Sequence, residues 1–406
     1  MASTLDRLPA RYWRLWWAGA IDNVGTGALV TALPLLAVTL TIDPRLISMV
    51  AAASFVPWLL FALPAGAVVD RYSRIGLMRA SQVFQAVVVA ALAVLVATEV
   101  MGIASLMVGA FLVGVGQVVF GVASQSVMPE IVEGKLLARA NARQYLATTI
   151  GQSFIGPPIG SLLFGLAIAL PFGLDVTALV ISLLLLTKLR GAPPPRGTAQ
   201  PTRRAVLEGL RWLAGHRLLR TLALLLGVNT FCFQLGNVTL VLLATQELGV
   251  TAAGYGVLLA VAAVGSILGG LLTGQLVAVF GQIPVLAVAL ALNAATFIAL
   301  GLSPDVGTLA GLLALSGLAP AIWNVVTVTL RHELVPVTLL GRVNSVYRLL
   351  GWGLIPLGAL AGGMVAHEIS IRAGYPIAGG LRLLALLTSL PLLVRVYRQG
   401  QRPRST

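Results

Sequence analysis

The stretch VMGIASLMVGAFLVGVGQVVFGVASQSVMP, from Val100 to Pro129, contains no Asp, Glu, Lys or Arg. About twenty such residues wound as a helix cross the hydrocarbon core of a bilayer, so it reads as a membrane span. Leu46 to Val69, Ala80 to Thr98, Thr221 to Gln246 and Val306 to Leu330 are equally free of formal charge. Leu248 to Pro304 is also uncharged and is long enough for two spans turning at Phe280-Gly281-Gln282-Ile283-Pro284. Of 406 residues, 58% are hydrophobic and 10% are charged, against roughly a quarter charged in a soluble domain. The expected fold is an all-α membrane protein with twelve transmembrane helices. Its first span follows Arg7, Arg11 and Arg14, lacks a small-residue cleavage site, and is expected to be retained rather than removed as a signal peptide.

Several function classes fall away on residue content. Cys232 is the single cysteine, and His216, His332 and His367 are scattered, so neither a disulfide framework nor a metal site is expected. Lys135 and Lys188 do not follow the glycine spacing of a phosphate-binding loop. No cofactor is expected, and a proton gradient is the natural energy source. A net charge of +14 could mean nucleic acid, but that requires a basic patch on a solvated domain, and the charge-free spans leave none. The bases instead group on one side of the spans: Arg7, Arg11 and Arg14; Arg71, Arg74 and Arg79; Lys135, Arg139 and Arg143; the run from Lys188 to Arg220; Arg331, Arg342 and Arg348; and the tail from Arg395 to Arg404. Arg45 and Arg372 fall on the other side. By the positive-inside rule both termini are cytoplasmic, in a multi-pass protein of the cell inner membrane.

Gly191-Ala192-Pro193-Pro194-Pro195-Arg196-Gly197 is a proline-rich linker, and Val206, Leu207, Leu210 and Leu213 after it recur at helical spacing with arginines between. The expected organisation is a six-helix bundle over residues 1–188, a cytoplasmic linker with a short amphipathic helix over 189–216, and a second six-helix bundle over 217–406. The halves are copies. Glu130, Arg139 and Asn141 recur without gaps as Glu333, Arg342 and Asn344, and Pro158-Ile159-Gly160 recurs as Pro356-Leu357-Gly358.

Gly66-Ala67-Val68-Val69-Asp70-Arg71-Tyr72-Ser73-Arg74 joins the second and third helices and resembles the glycine-to-Asp-Arg loop signature of the major facilitator superfamily. It departs from that pattern at Ser73 and Ile75. Gly66 would let two helices approach, and Asp70 and Arg71 could bond a neighbouring helix end or Glu130; the alternative is that Arg71, Arg74 and Arg79 only set topology. Gly156-Pro157-Pro158-Ile159-Gly160 in the fifth helix resembles the Gly-Pro signature of the antiporter branches, implying a kinked, closely packed helix at the bundle interface; ordinary packing is the alternative. From Arg14-Leu15-Trp16 to Glu208-Gly209-Leu210-Arg211 the chain is similar to the branch containing enterobactin exporters and macrolide efflux proteins. The arginine that drug-proton antiporters often carry in the fourth helix is absent.

Asp22 lies eight residues past Arg14, about 12 Å along a helix and within hydrocarbon depth. Acids at such depth default to function, and this one is the first proton-coupling candidate. Its alternative is a static acid bonded to Asn23, Asn229 or another helix. Asp175, just after Pro171-Phe172-Gly173, reads first as an N-terminal residue of the sixth helix and then as a second proton site. Asn23, Trp58, Phe120, Gln152, Asn229, Phe233, Trp323, Asn324 and Trp352 are candidates to line a substrate cavity, against plain packing or interfacial anchoring. Arg382 either snorkels to the outer interface or meets an anionic substrate.

These features read together as a secondary active transporter, expected to export an amphipathic small molecule of drug, macrolide or siderophore type in exchange for protons by alternating access. It would act in the lipid bilayer as a monomer, without nucleic acid. One alternative is facilitated or sodium-linked transport with Asp22 structural; another, of a different class, is an intramembrane lipid-handling enzyme.

Overall fold

A computed structural model of the chain describes residues 8–132, 134–189 and 202–400. The proline-rich linker and the side chains of Asp70, Lys135, Arg203, Arg204 and Arg348 lie outside the described residues. The described chain is helical throughout: α1 (Ala10–Leu40), α2 (Pro44–Arg71), α3 (Arg74–Ala97), α4 (Ile103–Ile131), α5 (134–166), α6 (Leu170–Thr187), the linker helix α7 (Thr202–Gly215), α8 (Arg217–Glu247), α9 (Ala252–Phe280), α10 (Gln282–Gly301), α11 (Val306–Leu334), α12 (337–368) and α13 (Gly374–Gly400). Eleven of these are long and apolar enough to cross a membrane. The twelfth span is α5, where Gly134–Thr148 passes through a π turn, Thr149–Ile155, into Gly156–Leu166. Pro157 and Pro158 have no N–H to offer the carbonyls of the preceding turn, and the wider π turn takes up that mismatch.

The described residues fall into two compact units by their contacts: those within 1–42, 53–202 and 251–260 form one, and those within 43–52, 203–250 and 261–406 the other. In the first, α1 packs on α5 and α6, and α3 on α4 and α6; in the second, α8 packs on α12 and α13, and α10 on α11 and α13. The same pairings in each unit are the structural counterpart of the sequence repeat. The linker helix belongs to the second unit: Gly209 rests on the backbone of Arg342, and Glu208 bonds the Arg342 guanidinium at 2.7 Å.

The repeated Pro-x-Gly of the fifth helix of each half does the same work twice. A Cβ on Gly160 would lie 2.5 Å from Cα of Ala28, one on Gly156 2.6 Å from Cα of Gly27, and the matching Gly358 presses on the carbonyl of Phe231 in α8. Only a hydrogen fits between these backbones. Gly66 differs from its expected role, since a Cβ there would meet nothing within 4 Å. The signature loop is also shorter than its sequence span: Gly66 to Arg71 are the last turns of α2, and only Tyr72 and Ser73 connect to α3. Ser73 caps α3 by accepting from the Gly76 N–H at 3.3 Å, a task that glycine at this position could not perform.

Gly156→Val should cost about 1–3 kcal/mol by overpacking and reduce the yield of folded protein, whereas Gly66→Ala should leave thermal stability unchanged; detergent melting curves of the two variants compare them. Asp305 caps α11 by accepting from the N–H and hydroxyl of Thr308, both at 2.9 Å, and these bonds hold its carboxyl below the usual range. Its stabilising contribution is therefore complete above the ordinary carboxylate pKa and lost as pH falls through the lowered one. Asp305→Asn, measured across that acid range, should flatten this part of the stability profile.

Candidate functional site

Within the first unit, α1, α3 and α6 enclose a polar cluster in apolar surroundings. Asp22 on α1 is 9% exposed and accepts from Gln82 Nε2 of α3 at 3.1 Å; the same nitrogen donates to the Ser182 hydroxyl of α6 at 2.9 Å. Asp175 of α6 is 3% exposed and its Oδ1 lies against Gly25, one helical turn along α1 from Asp22. That oxygen and Gln82 Oε1 are buried without a hydrogen-bond partner among the described residues. Neither carboxyl group has a Lys, Arg or His ion-pair partner among the described residues. Two acids thus share one apolar interior with only neutral partners, an arrangement that is costly if both carry charge.

The position of Asp175 departs from its sequence reading. Because α6 begins at Leu170, before the Pro-Phe-Gly stretch, Asp175 sits in the second turn and faces α1 instead of capping a helix end. The Asn23 amide is directed elsewhere than the Asp22 carboxyl: it donates to the Gly19 carbonyl at 2.6 Å and to Thr148 Oγ1 at 3.2 Å, tying α1 to α5. Gln82 and Ser182 were not singled out in the sequence. The available signal was a pair of polar residues, Gln82 and Gln85, inside the otherwise apolar third span.

The second unit has a base where the first has acids. Arg382 of α13 does not snorkel: it is 4% exposed, donates to Asn293 Oδ1 at 2.7 Å and to the Asn229 carbonyl at 3.0 Å, and lies 3.7 Å over the Phe297 ring. The cause is the pair of asparagine acceptors and the aromatic face that α8 and α10 present to α13, which take up the two terminal nitrogens of the guanidinium inside the bundle and leave Nε buried without a partner among the described residues. Phe233, one turn beyond Asn229, is exposed and 6.2 Å from Phe297.

At the ends carrying the signature loop, Arg74 pairs with Glu130 and also donates to the Ser126 carbonyl at 3.1 Å, while Arg71 is exposed. Glu130 is therefore met by the first residue of α3, not by Arg71 at the end of α2. In the repeat, Gln282 donates to Glu333 at 3.1 Å, so the carboxylate is retained and its partner is neutral. Arg79, read from sequence only as a topology marker, donates to the carbonyls of Leu186, Thr187 and Leu189 at 2.6–3.2 Å and closes the C-terminal end of α6.

The cavity candidates fall in both units. In the first, Trp58 lies against Gly121, Phe120 packs on the bundle core, and the Gln152 backbone carbonyl meets Gly27. In the second, Trp323 is a core residue at 7% exposure, whereas Asn324, Phe233 and Trp352 are exposed.

Among the described residues, twelve membrane-spanning helices in two repeated six-helix arrangements, each enclosing buried polar residues, define a major facilitator transporter fold. A model of the transmembrane secretion effector family, part of that superfamily, matches residues 3–405, and the chain belongs to this family. It is 28% identical over 279 residues to the enterobactin exporters EntS of Shigella boydii serotype 18 and Escherichia coli O81. Those matches cover 67% of this chain and 65% of the relatives, so the chain spans somewhat under two thirds of the length of these curated relatives. The fold is shared with a bacterial homologue of the iron transporter ferroportin in an inward-facing state, with a TM-score of 0.74 at 13% identity over 94% of this chain and 98% of that one. It is shared also with the nucleoside transporter NupG, with a TM-score of 0.71 at 14% identity over 97% and 100%. These relatives and neighbours are transporters, which sets aside the intramembrane enzyme.

Arg74→Gln and Glu130→Gln should each lower stability, and the double variant should cost less than their sum by about 0.5–3 kcal/mol, because the two groups answer each other. Arg71→Gln should leave the melting temperature unchanged. A double-mutant cycle read by detergent melting decides this.

Proposed function

We propose that the protein exports an amphipathic small molecule from the cytoplasm across the cell inner membrane in exchange for protons, by alternating access, with both termini cytoplasmic and the monomer as the working unit. The grouping of basic residues on the linker side of the spans supports the orientation. The 28% identity to proteins described as enterobactin exporters supports export of a small molecule.

The observation that carries proton coupling is the pair Asp22 and Asp175, buried in one bundle with neutral partners. A hydrogen bond from Gln82 alone would suit a purely structural Asp22. A second carboxyl group one helical turn away is better suited to exchanging protons, because two adjacent buried charges without a cation oppose each other. In this reading Asp22 carries the exchangeable proton, Asp175 biases its occupancy, and Gln82 and Ser182 hold the two helices at a fixed distance. The Arg74–Glu130 pair, with Asp70 and Arg71, forms the gate at the cytoplasmic ends, and Gly156, Pro157 and Gly160 keep α5 tight on α1. No cofactor takes part, and the candidates Asn23, Trp58, Phe120, Gln152, Asn229, Phe233, Trp323, Asn324 and Trp352 are positions at which substitution tests the substrate path.

Asn keeps the size and hydrogen bonding of Asp22 but cannot titrate. Asp22→Asn in proteoliposomes, assayed with a compound found in a growth-inhibition panel, should still bind and passively exchange substrate yet lose accumulation driven by a pH gradient. Gradient-driven transport at the wild-type rate would make Asp22 structural and leave Asp175 as the proton site. Loss of binding would assign Asp22 to the substrate itself.

A further inference from the structure

The second unit contains a groove of about 460 Å³ between the first turns of α8 and the last turns of α13. Its chemistry changes along its length. Arg217, Arg220 and Arg395 line the end beside the linker helix, and Leu224, Val228 and Leu392 line the part that runs toward the bilayer interior. No acid lines it. Arg217 to Val228 covers about 16 Å of helix axis, the distance from a headgroup well into the acyl region.

The groove's hydroxyls are already engaged: Thr221 donates to the Arg217 carbonyl at 3.0 Å, Thr388 to the Leu384 carbonyl at 3.0 Å and Ser389 to the Leu386 carbonyl at 2.9 Å. The arginines keep donors to spare. Arg220 gives one donor to the Ala214 carbonyl at 2.7 Å, and neither Arg217 nor Arg395 forms an ion pair among the described residues. Arg217 also opens α8, so the positive end of that helix adds to the three guanidinium groups. A soluble anion would be served by the arginines alone and would leave the apolar half uncovered. Leu224, 60% exposed at the middle of the groove, requires a hydrocarbon neighbour.

We propose that this groove binds an anionic phospholipid, with its phosphate held by Arg217, Arg220 and Arg395 and one acyl chain lying along Leu224, Val228 and Leu392. The charge on the lipid offsets three clustered bases, and the chain covers the apolar wall of the same groove. The lipid would link the start of α8 to the end of α13 and so brace the second unit next to the linker helix.

The test uses the full chain in detergent, with phosphatidylglycerol, phosphatidylcholine and inorganic phosphate as separate additions and native mass spectrometry and melting temperature as readouts. Phosphatidylglycerol should bind and raise the melting temperature, and the other two should not. Arg217→Gln and Arg395→Gln should each weaken phosphatidylglycerol binding roughly fivefold, the effect of one basic residue near an anionic headgroup. Equal stabilisation by phosphatidylcholine, reproduction of the effect by inorganic phosphate, or unchanged affinity in both variants would overturn the proposal. If either variant folds poorly, a phosphatidylglycerol carrying a photoreactive acyl chain is applied to the wild-type chain. Labelling of the α8 and α13 peptides around Leu224 and Leu392 is the expected result, and labelling confined to other helices overturns it.

Discussion

A bilayer interior offers no water to a stranded polar group, so the backbone donors and acceptors of the spans must find their partners within the protein. That constraint accounts for the helical chain and for the proximity of its backbones. Where α1 meets α5, Gly156 and Gly160 let the backbones come together at Gly27 and Ala28, and where Pro157 and Pro158 withdraw two donors the helix widens into a π turn. The same constraint makes Asp22, Asp175 and Arg382 conspicuous. Each is an expensive residue at its depth, and each is surrounded by neutral groups: Gln82 and Ser182 on one side of the repeat, Asn293 and the Asn229 carbonyl on the other.

The repeat preserved the frame and let the chemistry diverge. Gly160 and Gly358 make the same close approach in their own units, and Glu130 and Glu333 occupy the same helix end. Yet Arg74 has become Gln282, and the cluster enclosed by α1, α3 and α6 is acidic while that of α8, α10 and α13 holds a guanidinium. A duplicated bundle needs its packing glycines in both copies, because losing either pushes helices apart. Its buried charges are under no such symmetry, because no backbone contact depends on them in both copies.

Much of this was legible in the residues, because the cues were one-dimensional. Charge-free runs mark spans, basic clusters mark one side, and the Glu-Arg-Asn pattern marks the repeat without any knowledge of contacts. Asp22 also stood out, since depth along a single helix can be counted from Arg14. The misses arose where the answer depended on a neighbouring helix. Gln82 gains its meaning only because its amide reaches α1 and α6 together. Asp175 was misread because α6 starts at Leu170, ahead of a Pro-Phe-Gly stretch that looks like a helix boundary. Arg382 sits near a span end in sequence, but its burial depends on Asn293 and Phe297 from α10, and no spacing rule connects those residues to it. Gly66 shows the opposite error: a glycine in a signature position invites a packing role, yet its surroundings are open.

The central claim is that the export cycle moves protons, and it can be tested without any variant. Proteoliposomes containing the chain and a trapped pH indicator, at equal pH on both faces, are given an outward-directed gradient of an exported compound. The account predicts that substrate running down its gradient drives protons in the opposite direction, recorded as a pH change in the lumen that a protonophore abolishes. Substrate movement at the same rate with no luminal pH change, at any starting pH, would contradict it.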